Sequence, residues 1–129
     1  MDRRNYLIAM AAAGATGSMP LKAASKPIQL HCDLNVDPKR EKEMVTNFHK
    51  VFEPVISKQP GFVEVKMLKL RSVPAGAAPA NTNYRLLISF ETEEQRVKWV
   101  ATAEHQRVWP EIEKTLTGVK FNAVLFDPA

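Results

Sequence analysis

The chain has one cysteine in 129 residues. Cys32 therefore has no partner for an intramolecular disulfide and cannot build a zinc site alone, which removes both usual staples of a small fold. The five glycines are scattered at positions 14, 17, 61, 76 and 118. They form no phosphate-cradling loop, dinucleotide fingerprint or nucleophile elbow, so no cofactor is expected from a local motif. The three histidines have no metal-ligand spacing, and no metal is expected. No apolar run reaches the roughly 18 residues a membrane span requires. The net charge of +4 shrinks to +2 once the first 25 residues are set aside, which argues against nucleic acid as a partner. What remains is one domain's length of ordinary globular composition, 45% hydrophobic and 25% charged.

The first 25 residues read as an address. Arg3 and Arg4 precede a mildly apolar run and a small-residue stretch ending Ala23-Ala24-Ser25, the layout of an export signal. Asp2-Arg3-Arg4-Asn5-Tyr6-Leu7 resembles the twin-arginine signature. The domain proper is then expected over 26–129, exported to the periplasm or beyond.

Periodicity along that domain gives six elements. Ile28, Leu30, Cys32, Leu34 and Val36 alternate with Gln29, His31, Asp33 and Asn35, a half-buried strand. Asp37-Pro38 supplies a helix start, and Met44, Val45, Phe48, Val51, Phe52, Val55 and Ile56 recur at helical spacing, with Pro54 expected to kink the last turn. A second strand spans about 62–70, a long loop 72–83 and a third strand 84–90. Thr92-Glu93-Glu94-Gln95 matches a capping box. The helix it opens is expected to break at Trp109, ahead of Pro110, and to stop at Gly118. A fourth strand follows from Val119 to Phe126.

Two β-α-β units of these lengths predict an α+β, ferredoxin-like, four-stranded antiparallel sheet with both helices on one face. Strands three and four carry apolar residues on both faces, Leu87 opposite Leu86 and Val124 and Phe126 opposite Phe121 and Leu125. A sheet apolar on both sides needs cover on both, so a homodimer joined sheet to sheet into an α+β barrel is expected.

Pro60-Gly61-Phe62, the strand end Ile88-Ser89-Phe90-Glu91, and Thr92-Glu93-Glu94 followed by Trp99 and His105 together resemble the antibiotic biosynthesis monooxygenase family of dimeric α+β barrels. The resemblance spans nearly all of residues 27–127. Phe90 stands where family members often carry Trp, and the loop after Arg71 is longer than the usual connection. The resemblance implies a small aromatic or hydrophobic ligand and a cofactor-independent monooxygenase. The alternatives are a non-catalytic ligand-binding or interaction module and a haem-binding or haem-degrading oxygenase, which would need an axial histidine on the second helix.

Two sets of residues could carry chemistry. His31, Asp33 and Asn35 share a strand face at intervals of roughly 7 Å, so Asp33 could orient His31 as a general base and Asn35 could contact substrate. His105 and Trp109 lie four apart with Trp99 upstream, a set that could hold a flat aromatic molecule with His105 as base. With Ile28, Leu30, Cys32 and Leu34 toward the helices, His31 and Asp33 fall on the dimer side, and His105 ranks above His31. The plainer readings are a polar strip on the sheet and two core tryptophans. His49 is expected in solvent and Cys32 in the core.

Overall fold

A computed structural model describes residues 26–129; the expected export signal lies outside the described residues. Strand β1 (Ile28–Val36) leads through a short 3-10 turn (Pro38–Arg40) into α1 (Glu41–Asn47), a π-helical stretch (Phe48–Phe52) and α2 (Glu53–Ile56). After β2 (Phe62–Lys69) and β3 (Tyr84–Phe90) come α3 (Glu93–Val100), α4 (Ala103–Glu113) and β4 (Leu116–Phe126). The sheet order is β2-β3-β1-β4 with every neighbouring pair antiparallel, which is the ferredoxin-like arrangement. Among the described residues no helix is long and apolar enough to cross a membrane.

The local causes are visible residue by residue. Asp37 caps the first turn by accepting the Lys39 N–H at 2.9 Å, and Thr92 caps α3 by accepting from Gln95 at 3.1 Å. Pro54 has no N–H to offer the carbonyl one turn back. The turn ahead of it widens instead, and the Glu53 N–H reaches the Phe48 carbonyl, five residues away. The expected distortion thus takes the form of a π-bulge before the proline. Gly61, at φ +82°, makes the turn into β2, and a Cβ there would stand about 2.1 Å from the Gln95 side chain.

Two boundaries differ from expectation. No break occurs at Trp109, and α4 runs through Pro110 to Glu113. The break sits earlier, at Thr102, whose hydroxyl donates to the Trp99 carbonyl at 2.7 Å and accepts the His105 N–H at 3.1 Å, ending one helix and starting the next. Val108 and Ile112, both fully buried, anchor α4 on either side of the proline, offsetting the one backbone bond it forfeits. Strand β4 begins at Leu116, because Gly118, at φ +61°, absorbs a bulge rather than ending pairing. Leu116 pairs with Val36, and the ladder resumes only at Phe121 opposite Leu34.

The core lies between the sheet and the helices. Ile28, Cys32, Leu34 and Val36 of β1 and Tyr84, Leu86, Ile88 and Phe90 of β3 pack against Met44, Phe48, Phe52, Ile56, Trp99, Val108 and Ile112. The other face of the sheet carries no helix.

Candidate functional site

The helices cover β4 only in part. They leave a half-open cleft of about 210 Å³, floored by Leu30, Cys32, Leu86, Ile88, Phe121 and Ala123 and walled by Phe52, Arg96, Trp99, Val100, His105 and Trp109. Antiparallel register explains the floor: Phe121 and Ala123 sit opposite Leu34 and Cys32, so they share the helix-facing side. Phe121 remains 41% exposed there.

Trp99, His105 and Trp109 come together in this cleft. The Thr102 junction turns the C-terminal end of α3 and the first turn of α4 toward the same space, and Trp109 follows His105 by one helical turn. The His105 imidazole stands edge-on to Trp99 at 5.0 Å between centroids and lies nearly parallel to Trp109 at 6.5 Å. Trp99 continues inward to Phe52 at 6.0 Å, and Trp109 outward to Phe121 at 5.4 Å. One aromatic file therefore runs from core to cleft mouth.

Burial keeps two of the cleft's titratable groups, His105 and Cys32, uncharged. Burial, seconded by the Arg96 charge, holds His105 below the usual imidazole range, so its ring is neutral at pH 7 and can accept a proton. Its Nδ1 is buried without a hydrogen-bond partner. Burial and then the neighbouring Asp33 charge push the Cys32 thiol up to about 12, which makes it a small apolar wall rather than a nucleophile. Arg96, unremarked in the sequence, enters the wall because α3 presents positions 96, 99 and 100 to the sheet. Its Nε and one Nη each bond a Glu93 carboxylate oxygen at 2.7 Å. An i, i+3 acid–base pair signals only a surface salt bridge in sequence; the cleft beside it is a tertiary fact.

His31, Asp33 and Asn35 lie on the opposite, helix-free face and do not join this cleft. The expected His31–Asp33 orientation is not formed. Arg85, directly across from Asp33 on β3, takes both carboxylate oxygens at 2.6 and 3.1 Å, a shorter reach than two residues along a strand. His31 Nε2 is instead 3.2 Å from Gln29 Oε1, with its ring edge-on to Phe126 at 4.9 Å. Asn35 donates to the Thr117 carbonyl at 2.8 Å, tying down the β4 bulge. His49 is exposed and pairs with Glu53 at 3.0 Å. Among the described residues, no group of three or more His, Cys, Asp or Glu side chains is placed to hold a metal.

With that geometry in hand, likeness to known proteins is one of fold. No family model matches the chain, and no curated protein matches it. Solved structures do. The fold they share with this chain is the ferredoxin-like α+β fold. A protein proposed to be an antibiotic biosynthesis monooxygenase, from Bordetella bronchiseptica, superposes with a TM-score of 0.65 at 17% identity, covering 81% of this chain and 98% of its own. SnoaB from Streptomyces nogalater, a cofactor-independent oxygenase, gives 0.61 at 14%, with 78% and 91% covered. A dimeric ferredoxin-like protein of unknown function from Jannaschia gives 0.65 at 13%, with 78% and 97% covered.

Proposed function

We propose that this chain is an exported, homodimeric domain that binds a small aromatic molecule in the cleft and oxygenates it without a cofactor. One observation carries the reading: His105, neutral and set between two indoles, edge-on to Trp99 and parallel to Trp109, is the titratable base inside an apolar recess. The fold shared with a cofactor-independent oxygenase supports it. A recess of about 210 Å³ lies below the roughly 300–1,000 Å³ of drug-sized sites, which suits a ligand of one or two fused rings.

The chemistry uses a general base and a dry wall. His105 takes the hydroxyl proton of a bound naphthol-like phenol, and the anion carries carbanion character at the ring carbon para to the oxygen. That carbon bonds one atom of dioxygen and loses its hydrogen, and the second oxygen atom departs as water. Naphthol and dioxygen thus become naphthoquinone and water, with no further reductant. Trp99 and Trp109 hold the ring plane, and the apolar floor keeps bulk water from quenching the anion.

The test is oxygen uptake with 1-naphthol by the mature domain. His105→Ala should lower the rate about 10²–10⁴-fold while native mass and circular dichroism stay unchanged. Binding without uptake by the unaltered protein would leave the non-catalytic module. The export part rests on Arg3, Arg4 and the Ala23-Ala24-Ser25 cut site. Arg3→Lys with Arg4→Lys should leave unprocessed precursor in the cytoplasm, and unchanged export would remove the twin-arginine reading.

A further inference from the structure

The cleft wall is lopsided in its polar chemistry. Of its twelve residues, Arg96, His105, Trp99 and Trp109 carry side-chain nitrogen, and none carries a carboxylate. Guanidinium and indole nitrogens only donate. A recess so lined has a place for an acceptor oxygen and no charged partner for a cationic ligand.

Arg96 is the group to answer such an oxygen. Its side chain is 19% exposed, so its charge acts in a partly desolvated setting where it counts for more than on an open surface. Glu93 occupies two of the five guanidinium donors, through Nε and one Nη. Glu93 itself is 43% exposed, so its carboxylate is shared with water, and the three remaining guanidinium N–H groups are not taken up by it. The orphaned His105 Nδ1 lies in the same wall and is close enough to Arg96 to feel its charge.

We infer that the cleft selects small aromatic anions, with Arg96 holding the anionic oxygen of the ligand while Trp99 and Trp109 hold its ring. The inference rests on the cleft-binding reading above and names the charge state that site prefers. In turnover, the same contact would stabilise the phenolate formed when His105 takes the proton. The oxygen could belong to a carboxylate or a phenolate, which share this chemistry.

Binding can be followed without any turnover through the indole N–H signals of Trp99 and Trp109, titrating the mature domain at pH 8 with 2-naphthoate and its neutral isostere 2-naphthamide, and with 4-nitrophenolate and neutral 4-nitroanisole. Each anion should bind at least about ten-fold tighter than its neutral counterpart, the scale of one charge-assisted hydrogen bond. The pair with the larger ratio identifies which anionic oxygen the site prefers. Arg96→Gln should bring the ratios close to one. Glu93→Gln, which removes the competing carboxylate, should tighten the anions a few-fold and leave the neutral ligands where they were. A ratio near one in the unaltered domain, or a ratio that Arg96→Gln leaves intact, overturns the inference while the cleft still binds aromatics. Should no probe move either indole signal, the cleft reading itself falls and takes this inference with it.

Discussion

The two faces of one sheet solve opposite problems with the same strands. On the covered face, β1 and β3 present Ile28, Cys32, Leu34, Val36, Leu86, Ile88 and Phe90 to the helices, and nearly every contact is apolar packing. On the open face, the middle of the sheet is, Leu87 apart, polar and already satisfied, with Asp33 paired to Arg85 and His31 to Gln29. The uncovered apolar surface there sits toward the outer strands, at Leu68, Val124 and Phe126, the last 51% exposed. A polar group that has its partner at hand costs little to cover, and an exposed apolar rim gains from being covered. The open face is therefore suited to a second copy of itself, and the covered face, where the helices leave β4 partly uncovered, to a ligand.

Substituting the same acid on adjacent residues separates the two faces most sharply. Leu86 is 1% exposed among the core residues, and Leu87, across from His31 and Lys66, points to the open side. Leu86→Asp should strand a carboxylate in the core and cost more than about 4 kcal/mol, enough to abolish the cooperative unfolding transition at room temperature. Leu87→Asp should leave a folded chain and shift the sedimentation behaviour from dimer to monomer. If Leu87→Asp unfolds the protein as Leu86→Asp does, the faces are not distinct in the way described; if the unaltered domain is monomeric at micromolar concentration, the sheet-to-sheet dimer is lost.

How much of this the sequence discloses differs between the faces for a physical reason. The alternation of Ile28 to Val36 and the Thr92 capping box report local backbone geometry, so the strands, the helices and the inward set of β1 are legible from residue order. Pro110 misleads because its local preference is overridden by the buried Val108–Ile112 stripe, and Thr102 goes unnoticed as a cap because His105, not Glu or Gln, stands at its third position. Cross-strand partners need the register, of which only the β1–β4 part depends on the bulge at Gly118. The Asp33–Arg85 pair follows from the β1–β3 register and the place of Arg96 beside His105 from the way α3 and α4 meet at Thr102, and no local pattern announces either. His105 itself is legible as a candidate only by its spacing from Trp109; its neutrality is a consequence of burial and of Arg96.

The smallest effect is the most specific to the covered face. His105 is held below the ordinary imidazole value of 6.5, first by burial and second by Arg96. The folded state therefore binds a proton less readily than the unfolded chain does. The stability from this group is fully present above about pH 6.5 and is lost as pH falls through its lower folded value. His49 is exposed beside Glu53, away from the indole-walled cleft. Urea midpoints measured from pH 7.5 down to pH 5 should fall for the unaltered domain, and His105→Phe should flatten that fall. His49→Gln should retain it. A flattening produced by His49→Gln, with no change from His105→Phe, would mean that the indole-walled site does not disfavour the imidazolium, and His105 would lose its standing as the neutral base of the cleft.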